Sequence, residues 1–146
     1  MASFEEDIFT AIKANWTADS LSWGSAGEGT PKVRGVIRHG SDEVQPEPYA
    51  SVRVVNVQRI PTCAGDTRWS GVAEIRVRFL PGTQMPSTNY AGLRDPVVAR
   101  IISQLDDAQL TASGGTHTLG RGQVIGAIQN SERETTIRLA VYGEGS

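Results

Sequence analysis

A single cysteine in 146 residues, Cys63, leaves no partner for an internal disulfide and rules out a multi-cysteine metal site; nothing here asks for an oxidising compartment. The two histidines, His39 and His117, lack the His-x-x-His or His-Glu-x-x-His spacing that would make either a metal ligand. No stretch approaches the ~18 uninterrupted apolar residues of a membrane span. The opening MASFEEDIFT is acidic and has no basic segment followed by an apolar one. Neither a secretory signal nor a membrane span is therefore expected, and the default compartment is the cytoplasm. Aromatic residues make up 6% of the chain and apolar residues 38%. That is lean for a self-sufficient globule and fits a chain that buries part of its surface against neighbouring subunits. No Gly-x-Ser-x-Gly elbow, phosphate-binding GxxxxGK[ST] or GxGxxG after a strand occurs. GSAGEG near residue 24 and SGG near residue 113 lack the flanking strand and helix of a phosphate cradle and read as loops. No catalytic residue, metal or cofactor is assigned, and the chain is not expected to be an enzyme.

Excess charge of one sign is also missing. The net charge of −2 gives no global attraction to nucleic acid or to an anionic membrane. Its distribution is uneven, with residues 1–30 at −4, 31–80 at +3 and the rest at −1. The positive charge is twelve arginines against two lysines, a choice that suits bidentate pairing at interfaces; a coding bias toward arginine accounts for it equally well.

What is present reads as one α+β domain over 1–146. Ser3 and Glu6 form a capping box, and Glu5, Glu6 and Asp7 complement the helix dipole, so a helix starts at residue 4. Phe4, Ile8, Ala11, Ile12 and Trp16 give it one apolar face. Residues 17–32 read as a loop that docks through Leu21 and Trp23. Strands are expected at 33–38, 49–57 and 69–80, the last with the clearest period-two alternation in the chain. The second and third should pair as antiparallel neighbours. After an irregular segment at 81–94, Asp95 as cap and Pro96 in the first turn open a helix to about Asp107. A glycine-rich loop at 111–122 and two strands at 123–129 and 135–142 follow, with a frayed GEGS tail. The expected fold is a mostly antiparallel sheet of four to five strands with two helices packed on one face.

Arg68, Arg76 and Arg78, with Arg53 on the neighbouring strand, form a basic stripe interrupted by Glu74 and without an interleaved aromatic platform. A subunit-facing or solvated strand surface fits it better than a nucleic-acid site. Asp106 and Asp107 sit at a helix end, where negative charge is mildly unfavourable, and an arginine of another subunit could compensate them. These six residues are the candidate subunit interface. The loops at 17–32 and 81–94 exceed ordinary connections and suit contacts that order on assembly.

The N-terminal helix SFEEDIFTAIKAN, the strand PYASVRVVNV entered through proline, the long strand TRWSGVAEIRVRFL, the helix DPVVARIISQLDD and the closing strand TTIRLAVYG, in that order, resemble the tail-terminator and tail-completion proteins of long-tailed bacteriophages. The resemblance spans most of the chain. It implies a structural virion protein without cofactor. Such a protein forms a homo-oligomeric, hexameric ring that caps the tail tube, contacts the tail tube protein and docks on the head connector protein. It would reside in the neck region of the virion, and in the host cytoplasm during assembly, with no membrane contact and no sequence-specific nucleic-acid binding. The long 111–122 loop and the 123–129 strand fit another neck or connector protein as well. A small enzyme built from Cys63, His39 and His117, and a nucleic-acid module using the arginine strand, are the other readings.

Overall fold

The computed structural model describes residues 3–16, 36–38, 49–62, 67–78, 90–112, 114–131 and 134–145. The expected loop at 17–32 with Leu21 and Trp23, residues 33–35 and 79–89, and both His39 and Cys63 lie outside them. The order is α1 (Phe4–Trp16), β1 (Val36–Arg38), β2 (Tyr49–Pro61), β3 (Thr67–Arg78), α2 (Tyr90–Leu105), β4 (His117–Leu119), β5 (Gln123–Ser131) and β6 (Glu134–Gly145). The chain is α+β, as expected.

The elements form one sheet in the order β1-β2-β3-β6-β4, with β5 also on β6. β1 joins β2 in parallel and every other pairing is antiparallel. β3 and β6 pair along their whole length, because both alternate one apolar face with one polar face and a slip by one residue would turn both faces over. On the inner face Ala73 meets Leu139, Ile75 meets Ile137, and Val52 and Ala50 continue the rows onto β2. Side chains of both helices, Phe4, Ile8 and Ile12 from α1 and Ile101 and Leu105 from α2, belong with them to a single core cluster. Each such isoleucine or leucine contributes about 1.5–3 kcal/mol by leaving water. The Ser3 cap forms as expected, its Oγ accepting from the Glu6 N–H at 3.1 Å.

Four expectations are corrected. The second helix begins at Tyr90, so Asp95 and Pro96 lie inside it and Asp95 is not its cap. Ala91, Leu93 and Arg94 are good helix formers and carry the helix through Pro96, which in the second turn removes one backbone bond and crowds the carbonyl four residues before it. The 111–122 segment is not all loop, since β4 (His117–Leu119) pairs with the end of β6. The GEGS tail is not frayed through Gly145, because Gly143, Glu144 and Gly145 are held between β3 and β4. Gly143 is required there: a Cβ would come within 2.9 Å of the Phe4 ring. Finally, Asp7 does not serve the helix dipole in solvent but is buried.

Candidate functional site

The outer face of the sheet carries the predicted stripe. Register places Arg53 beside Glu74 on β3 and Arg138 on its other side on β6. The Arg53 guanidinium donates to Glu74 Oε1 at 2.7 Å, and Arg138 Nε lies 3.8 Å from Glu74 Oε2. Arg76 and Arg78, two residues apart and so on the same face, each bring Nε to 3.8 Å from Glu134 Oε1. Glu74 lies within the stripe and links its Arg53 to Arg138 of β6 across three strands. Four guanidiniums share two carboxylates, so this half of the face keeps a positive excess. Ser51, Ile128, Asn130 and Thr136 complete the lining of a shallow cavity of about 290 Å³ around these groups. Exposed ion pairs of this kind contribute only about 0.2–1 kcal/mol each to folding, so the lattice is a property of the surface more than a support of the fold.

Arg68 stands apart, at the other end of the face between Ile60 and Glu144. Tyr142 lies near it, opposite Ser70 and 54% exposed. The face thus carries one exposed aromatic at this end. One tyrosine beside Glu144 still does not make the row of stacking rings that single strands need. A groove of about 410 Å³ runs between this corner and the β4 end at Leu119 and Gly120.

Asp106 and Asp107 are not on this face. They follow α2 directly, where the Asp106 carboxylate accepts from the Val124 N–H at 3.0 Å and the Asp107 N–H donates to the Gly122 carbonyl at 2.8 Å. Asp107 adopts φ of 60°, the left-handed position that ends many helices and that aspartate tolerates. The arginine beside it is Arg121 of the same chain, which donates to its carbonyl at 2.9 Å. Arg121 also lies 3.9 Å from the exposed Asp107 carboxylate, whereas Asp106 is engaged by a backbone N–H. Of the six candidate interface residues the structure gathers Arg53, Arg76 and Arg78, sets Arg68 at a distance on the same face, and assigns the two aspartates to the α2–β5 junction.

One constellation was not foreseen. His117 Nδ1 lies 2.6 Å from Asp7 Oδ2, and the backbone N–H groups of Thr116 and His117 donate to the same oxygen at 3.1 and 3.0 Å. With Nδ1 as the donor, one carboxylate oxygen takes all three hydrogen bonds. The two side chains are 3% and 2% exposed. The imidazole packs edge-on to Phe4 and Trp69, with ring centroids 5.4 and 5.2 Å away. Its Nε2 is buried and has no hydrogen-bond partner among the described residues. Gly115 makes room for the carboxylate, since a Cβ there would sit 2.5 Å from Asp7 Oδ1. The signal was present in the sequence: Asp7 falls at helical spacing on the stripe formed by Phe4, Ile8 and Ala11.

No known family model matches the chain, and no curated protein matches it.

The chemistry available follows from the geometry alone. The Asp7–His117 pair lies buried where α1 meets β4, and its hydrogen bonds tie these two elements together. Among the described residues no group of three or more His, Cys, Asp or Glu is arranged to hold a metal. Among the described residues the outer face is a charged surface whose arginines are about half exposed, suited to a macromolecular contact.

Proposed function

We propose that this chain is a structural subunit of a phage tail-terminator ring, capping the tail tube and joining it to the head connector. The observation that carries the reading is the asymmetry of the sheet. Its inner face belongs to the core, while its outer face presents arginines held in a carboxylate lattice together with exposed Ile60, Ile128 and Tyr142. Arginine with aliphatic and aromatic side chains is the composition of a protein interface. The five segments that carry the resemblance fall on α1, β2, β3, α2 and β6 in the same order.

The outer face has an excess of arginine over its carboxylates, and α1 exposes two glutamates, Glu5 and Glu6. Asp7, being buried, takes no part. Stacking along the tail axis brings a positive face against an acidic surface of the adjoining ring, and leaves the sheet edges for contacts within a ring.

The test is the double charge reversal Arg76→Glu with Arg78→Glu. Both side chains are about half exposed, so circular dichroism and thermal unfolding should barely change. Binding to purified tail tubes, read by co-sedimentation at low salt, is expected to weaken at least tenfold. Undiminished binding would remove the outer face from the contact.

A further inference from the structure

β5 (Gln123–Ser131) lies at a flank of the sheet and, among the described residues, hydrogen-bonds as a strand to β6 alone. Its sequence QVIGAIQNS contains no charged residue and no proline. Flanking strands are normally guarded against other chains by lysine, by proline or by an inward-pointing charge. β5 has none of these; the one guard of a recognised kind that it carries is its pair of bulges, between Val124 and Gly126 and between Gln129 and Ser131, which leave Gly126–Gln129 in regular register between them. It also displays Ile125 and Ile128, 53% and 56% exposed.

The opposite flank offers a counterpart. β1 covers β2 only at Ala50, Ser51 and Val52, so among the described residues 53–61 presents a second free strand edge. That segment is as long as β5 and carries Ile60, 54% exposed. The large exposed apolar side chains Ile125, Ile128 and Ile60 thus sit on β5 and on the part of β2 that β1 leaves unpaired among the described residues. A face that met itself would put β5 against β5 and leave Ile60 and the 53–61 edge bare. A head-to-tail contact uses both flanks at once, and such heterologous contacts close into rings when the rotation allows.

We propose that the free edge of β5 pairs with the 53–61 edge of β2 in a second copy of this chain, so that the sheet runs on from subunit to subunit around the ring. The inference rests on the ring reading and adds to it the surface that joins subunits. The Asn56 bulge, with φ of 55°, and Pro61 limit the pairing to part of the edge, which sets register as well as affinity.

The experiment compares amide hydrogen exchange in dilute monomer and in assembled protein, alongside the variant Ile125→Lys with Ile128→Lys. Both side chains are exposed, so the variant should fold. Protection of amides in both 123–131 and 53–61 on assembly, at least tenfold over the monomer, with tenfold or weaker self-association of the variant, is the expected result. Assembly without added protection in β5 overturns the inference and leaves the ring reading standing. Protection of β5 alone in a species that stops at a dimer means β5 pairs with β5, and overturns it too. Absence of self-association under every condition, tail tubes included, overturns both.

Discussion

Replacing Asp7 by alanine is expected to cost the fold about 3–5 kcal/mol, a large share of the ~5–15 kcal/mol that a domain of this size has to lose. The reason is the number of donors that one oxygen serves. Asp7 Oδ2 accepts from the His117 ring and from two backbone N–H groups, at 2.6, 3.1 and 3.0 Å, in a place water does not reach. Each buried donor left without a partner costs about 1–3 kcal/mol. The carboxylate also links the first turn of α1 to the start of β4, elements more than a hundred residues apart in sequence, so its loss should loosen the helix and the β4–β6 junction together. Urea denaturation of Asp7→Ala, His117→Ala and the double variant measures this. The two single effects should overlap strongly, with a coupling of about 1–3 kcal/mol. Losses below 1 kcal/mol for Asp7→Ala, or simple additivity, would show that the pair does not bear the load assigned to it.

The second large effect belongs to the centre of the core. Ile137 on β6 is fully buried and faces Ile75 across the central pairing. Truncation to alanine removes three carbons from a site closed by strands on both sides, which have little freedom to collapse into the space. A loss of about 2–5 kcal/mol is expected in the same denaturation assay. The contrast with Ile128→Ala is the informative part. Ile128 is 56% exposed, so its truncation should shift the monomer by no more than about 0.5 kcal/mol. A strong effect of Ile128→Ala on the isolated monomer would mean that its burial is intramolecular and would withdraw it from the surface that joins copies.

The parts of the fold visible in the sequence were those governed by local periodicity. The Ser3 cap and the apolar stripe fixed α1, and the alternation of Ala73, Ile75 and Val77 with Glu74, Arg76 and Arg78 identified β3 and its two faces. Non-local pairing was harder to see. β4 is three residues long inside a glycine-rich stretch, and it is a strand because β6 runs past it, not because of its own composition. The start of α2 was misplaced because Asp-Pro is a strong local signal for a helix opening, and the residues before it override that signal.

The candidate site followed the same division. Sequence spacing put Arg76 and Arg78 on one face, but their shared partner Glu134 comes from a strand more than fifty residues later. Arg138 joins the lattice from that same strand and could not be associated with Glu74 from spacing alone. The spacing of Asp107 and Arg121 does not show that they meet; the bridge between Gln109 and Arg121 closes the intervening segment and brings Arg121 to the end of α2. Asp7 was the avoidable omission. A carboxylate on an apolar helical stripe needs a buried partner, and the capping role offered a sufficient local explanation that hid this requirement.

The central claim is that this protein works as a subunit of a ring at the end of a tail tube. Its most direct test is the molar mass in solution by light scattering over a concentration series, without and with purified tail tubes, with negative-stain imaging of any large species. The expected result is a ring of about six copies, or a monomer that becomes one on tube ends. A strictly monomeric protein that ignores tubes at every concentration would contradict the account.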